Sequence, residues 1–128
     1  MRNRLAIGAI LVATQVLSTT TAFAGPWEDG MAAYNRSDYV PAIQIFRPLA
    51  RAGNHEAQKM LGLMYRRGQG VVRSSIHAAM WLTLASHRGN SPADRELRKV
   101  MKTMTPEQLD QARAMMQSCE ASNFTYCE

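Results

Sequence analysis

Apolar residues recur at Ala57, Met60, Leu61, Met64 and Tyr65 in the middle of the chain. That spacing predicts an amphipathic helix running to Arg67. Gly68-Gln69-Gly70 then breaks the pattern, because glycine readily takes the left-handed backbone that ends a helix. A second helix follows, capped by Ser74 or Ser75. It carries Ala78, Ala79, Trp81, Leu82 and Ala85 and stops at Gly89. The unit is helix, glycine turn, helix, small-residue stop. Gly62 sits inside the first of these helices, where it costs about 1 kcal/mol relative to alanine. A glycine kept at that cost predicts a neighbouring helix packed close to its backbone.

The same periodicity extends to both sides. Helix one is expected over about Trp27 to Asn35. Helix two runs from about Asp38 to Ala52, with Asp38 as N-cap and Pro41 in the first turn. Its residues Ala42, Ile45, Phe46 and Leu49 share a face, and Pro48 should bend it. Helix five spans about Ser91 to Met104, with Ser91 as cap and Pro92 at the first helical position. Helix six opens on Thr105-Pro106-Glu107-Gln108, a capping box with an early proline. Leu109, Ala112, Met115 and Met116 form its buried stripe. Strand signals are nearly absent: no sustained alternation flanks any Asn-Gly or Asp-Gly turn. The fold class is all-α, with about six helices in antiparallel pairs.

The central stretch resembles the Sel-one-like repeat family, α/α relatives of the tetratricopeptide repeats. The residues that carry the likeness are Ala57, Leu61-Gly62, Met64-Tyr65, Gly68-Gln69-Gly70-Val71, Ala78, Trp81-Leu82, Ala85 and Gly89. The resemblance covers one full repeat. It implies helix pairs stacked into an α/α superhelix, and a protein-binding role. With the family in view an internal repeat emerges. Arg51-Ala52-Gly53-Asn54 answers His87-Arg88-Gly89-Asn90 at an offset of thirty-six. Ala42 answers Ala78, Ile45 answers Trp81 and Ala57 answers Ala93 at that same offset. Tyr34 answers Tyr65 at thirty-one, so the first repeat has a shorter turn, Asn35 to Asp38. The run Met104-Thr105-Pro106-Glu107-Gln108 resembles the closing helix of exported members, which would cover the open end of the stack.

The first residues belong to a different class of segment. Arg2 and Arg4 make a basic start, Leu5 to Val12 is apolar, and Ala22-Phe23-Ala24 is a small-x-small cleavage site. The expectation is a secretory signal peptide over residues 1–24 and one repeat domain over 25–128. The apolar run is shorter than the roughly 20 residues of a membrane span. No cysteine follows the cleavage site, which argues against a lipid anchor. The expected location is periplasmic or secreted, in a bacterial cell envelope.

Cleavage also changes the charge. The whole chain has fifteen Lys+Arg against ten Asp+Glu; without Arg2 and Arg4 the ratio is thirteen to ten, a net of +3. That mild, scattered excess does not point to nucleic acid. The basic residues from Arg95 to Lys102 read as a solvated helix face.

No assembled chemistry is apparent. His55, His77 and His87 lack the two-histidine spacing of a zinc helix and have no partner at ligand spacing. Gly68-Gln69-Gly70 lacks the lysine and preceding strand of a phosphate loop. No serine is followed three residues later by lysine, the spacing of penicillin-recognising enzymes. No catalytic residue, cofactor or metal ligand is therefore assigned. Methionine is abundant, at nine residues. Met60 with Met64, and Met101 with Met104, lie one turn apart, and thioethers can hold Cu(I); filling of irregular core gaps is the plainer role. The expected function is a non-enzymatic protein-interaction module whose partner is an envelope protein or peptide. The alternatives are a copper-binding protein or an enzyme acting on β-lactams or peptidoglycan.

Cys119 and Cys127 are the two cysteines. Export to an oxidising compartment predicts that they bridge. On one continuous helix their Cα atoms would be about 12 Å apart, whereas a disulfide needs less than about 7 Å. Helix six must therefore end soon after Cys119, and Ala121 to Tyr126 must turn back. Ser122 and Asn123 suit the turn, and Phe124 or Tyr126 can pack on the helix end. The tail also resembles the cysteine, aromatic, cysteine ending of exported relatives.

Overall fold

The computed structural model describes residues 24–128. The expected signal peptide lies almost wholly outside them. Six helices follow in order: α1 Pro26–Asn35, α2 Tyr39–Arg51, α3 His55–Arg67, α4 Ser75–His87, α5 Ser91–Met101 and α6 Pro106–Ala121. Among the described residues there is no strand, and no helix is long and apolar enough to cross a membrane. Successive helices α1 to α5 pack on one another, α3 also touches α5, and α6 packs on α4.

The internal repeat is a repeat of geometry. α2 and α4 each contain 13 residues, shifted by thirty-six positions. The link after each closes in the same way. The Gly53 amide donates to Ala50 O at 3.0 Å and the Asn54 amide to Leu49 O at 3.0 Å. Thirty-six positions on, Gly89 donates to Ser86 O at 2.9 Å and Asn90 to Ala85 O at 3.1 Å. Asn54 then caps α3 by accepting from the Ala57 amide, and Asn90 caps α5 by accepting from the Ala93 amide, both at 3.0 Å.

That geometry corrects the expected start of α5. Gly89, at φ 87°, supplies the turn, which makes Asn90 the cap and Ser91 the first helical residue. α5 also ends at Met101 rather than Met104: Thr103 Oγ1 donates to Val100 O at 2.7 Å, and the chain turns to begin the next cap. There Thr105 and Gln108 form the expected capping box. α4 is capped by Ser74, whose Oγ accepts from the His77 amide at 3.2 Å. Asp38 precedes α2 without a side-chain capping bond. Helix α2 runs through Pro48 as one element.

α3 and α4 form the centre. Ala57, Leu61, Met64, Ala78, Trp81, Leu82 and Ala85 have no exposed surface, and Tyr65 keeps little. Gly62 lies against Leu82: a Cβ there would come within 2.6 Å of Leu82 Cγ and 3.2 Å of Ala78 O. The Tyr65 ring stacks on His77 with centroids 4.8 Å apart. The loop between the helices is held just as closely. A Cβ on Gly70 would lie 2.7 Å from the carbonyl of Tyr39, and Gly70 has φ 73°, so neither space nor backbone suits another residue. Helix α2 adds Ala42, Ile43, Phe46 and Ala50 to the core; Ile45 and Leu49 lie at its margin.

Trp81 is the largest wholly buried side chain. Its Nε1 has no partner among the described residues, so its contribution comes from packing. Trp81→Ala should therefore cost about 3–5 kcal/mol, a large part of the roughly 5–15 kcal/mol stability of a domain this size. Denaturant unfolding of the two proteins checks this.

Candidate functional site

Two surfaces carry the side chains that interact chemically. The first joins α1, α3 and α5 through polar contacts. Arg67 donates to Tyr34 Oη at 3.0 Å, and Tyr34 donates to Gln69 Oε1 at 3.2 Å. Arg66 pairs with Glu96 on α5, and Glu96 also accepts from Lys99 at 2.8 Å. The Lys99 hydrogen bond, with help from the Arg66 charge, holds the Glu96 carboxyl below its usual range. Lower along the pair, Asn90 Nδ2 donates to Glu56 Oε1 at 2.8 Å and lies 3.0 Å from His55 Nδ1. Lys59 is the main reason the Glu56 carboxyl is also held low. The contacts of Tyr34 with Arg67, Glu96 with Arg66, and Asn90 with Glu56 tie neighbouring helix pairs together. Within the basic run of α5, Arg98 pairs with Asp94 and Lys99 with Glu96.

The second surface is a groove of about 370 Å³ between α5 and α6. Its floor is one row of α4: Ala79, Thr83 and His87. Leu97 and Met101 form the α5 wall; Leu109, Ala112, Arg113, Met116 and Gln117 form the α6 wall. Ala112 and Cys119 are the buried residues of α6. Leu109, Met115 and Met116 stay partly exposed, so the expected buried stripe is only half covered.

The tail beyond α6 is tied down. Cys119 and Cys127 form a disulfide, with Cα atoms 4.4 Å apart. Asn123 and Phe124 take left-handed backbone, at φ 51° and 63°, which reverses the chain. Ser122 Oγ accepts from the Tyr126 amide at 3.0 Å and donates to Cys119 O at 2.9 Å. The Phe124 ring lies under the Arg88 guanidinium, 5.6 Å from its centroid. Tyr126 is instead 73% exposed. Glu128 accepts from Arg47 Nε on α2 at 2.9 Å, and Arg47 reaches Tyr65 Oη at 3.4 Å. Sequence reading missed this last link, since nothing local marks two residues eighty-one positions apart as partners.

The residues weighed for chemistry are dispersed. Ser74 Oγ holds His77 Nδ1 at 2.8 Å, His55 meets Asn90, and His87 borders the groove. Met60 and Met64 are buried in the core, whereas Met101 is 41% exposed in the groove. Among the described residues, no three His, Cys, Asp or Glu side chains are grouped so as to hold a metal. Gly68 ends α3 in left-handed backbone, and Gly89 turns the chain into α5.

No protein-family model matches this chain, and no curated protein matches it.

The bridge closes a short loop, so reducing it should cost roughly 2–3 kcal/mol. Thermal unfolding with and without reductant tests this. A Cys119→Ala/Cys127→Ala double variant should melt like the reduced protein and lose its response to reductant.

Proposed function

We propose that the protein is a non-enzymatic protein-interaction module of the Sel-one-like repeat type, working in the bacterial cell envelope. The observation that carries this reading is the helix-and-link unit that recurs at a thirty-six-residue offset with matching caps. Stacked units of this kind touch only their neighbours and present extended surfaces suited to a helix or an extended peptide. The export-type leader and the disulfide fit an oxidising compartment. The titratable groups fit the same reading. The Glu96 carboxyl, held low, pairs with Arg66 across the stack, and Glu56, held low mainly by Lys59 on its own helix, accepts a hydrogen bond from Asn90 across it.

Photo-crosslinking in cells tests the proposal. A crosslinking residue at exposed positions on α3 or α6 should yield a discrete protein adduct in the envelope fraction, and excess purified protein should suppress it. Turnover of a β-lactam or a peptidoglycan fragment, abolished by changing one side chain, would overturn the reading.

A further inference from the structure

Helices α5 and α6 are joined by Lys102 to Thr105, a connection short enough to make neighbours of them. Each nevertheless packs on α4, and the contact between them is at most slight. The groove is the space this leaves. Its floor from Ala79 to His87 is two turns long, about 12 Å. Leu97 and Met101 on α5, and Leu109, Ala112 and Met116 on α6, stand about one turn apart on either side of the α4 row, an arrangement into which the side-chain ridges of another helix fit. The groove is partly open to solvent, unlike the enclosing pockets that bury most of a small ligand.

Charge narrows the occupant. The lining contains Arg113 and His87 and no carboxylate. Arg113 pairs with Asp110, 3.3 Å away on the same helix, and both side chains are largely exposed. Such a pair holds weakly in water, so the guanidinium is available to a carboxylate that docks beside it.

We propose that this groove is the docking site for an amphipathic helix of a partner protein. The partner helix places apolar side chains at i, i+4 and i+7 against the α4 row, with Glu or Asp on the flank facing Arg113. This deepens the interaction-module reading and rests on it.

The test uses protein purified from the cells that make it, isotope-labelled for NMR. The probe is a stapled helical peptide with leucines at i, i+4 and i+7 and glutamates along one flank; its sibling carries lysines there. The glutamate peptide should shift resonances of Ala79, Thr83 and Leu97 and leave those of α1 unmoved. Arg113→Glu should weaken it roughly fivefold, the scale of one exposed charge pair, and should favour the lysine peptide instead. Met101→Asp, at an exposed wall position, should weaken both peptides while leaving the melting temperature near that of the parent. The proposal is overturned if shifts map to α1 and α3, if neither peptide binds, or if Arg113→Glu treats both peptides alike. It is equally overturned if laurate gives the groove shifts and the peptides do not, since the occupant is then an acyl chain. A crosslinked partner mapped away from the groove defeats this inference while leaving the interaction-module reading intact.

Discussion

The approach of α3 to α4 sets the dimensions of everything around it. Gly62 has no side chain, and Leu82 fills the space that a Cβ would need. Close approach lets Trp81, Leu61 and Met64 pack without exposed surface, and it brings Tyr65 within stacking distance of His77. The helix-propensity loss at glycine, about 1 kcal/mol, is small beside the roughly 1.5–3 kcal/mol gained by burying one large apolar side chain. α2 and α5 then stack on the outer sides of this pair, and α6 rests on α4.

Much of this was legible in the sequence because the signals were local. Periodic apolar positions located the helices, and the Thr105 to Gln108 capping box placed the start of α6 to the residue. The offset between Gly53-Asn54 and Gly89-Asn90 was visible as well. Its meaning was misread at Ser91, because a serine before proline is also a good cap. Deciding between two adjacent caps requires knowing where the turn occurs, and here the backbone of Gly89 places it one residue earlier. The disulfide was accessible by arithmetic on helix rise, since two cysteines eight residues apart can meet only if the helix ends between them.

What escaped the sequence is long-range. The stripe of α6 has helical spacing, which predicts burial but not what covers it. In the folded chain α4 covers one side, and Leu109 and Met116 remain beside an open groove. The tie from Glu128 through Arg47 to Tyr65 likewise joins the last residue to the first repeat, with no local trace. Both features arise from the order of stacking. A stack closed by a helix on one side of α4 has a braced tail at one edge and an uncovered apolar trough at another. The first holds the tail in place, and the second is the groove in which a partner helix is proposed to dock.

The central claim is that the contact between Gly62 and Leu82 fixes the helix pair. A double-mutant cycle measures it directly. In the parent, Gly62→Ala should destabilise by about 1–3 kcal/mol, because overpacking outweighs the gain in helix propensity. In a Leu82→Ala background the same change should be neutral or stabilising by up to about 1 kcal/mol, limited by the remaining approach to Ala78 O at 3.2 Å. The same destabilisation in both backgrounds would contradict the account.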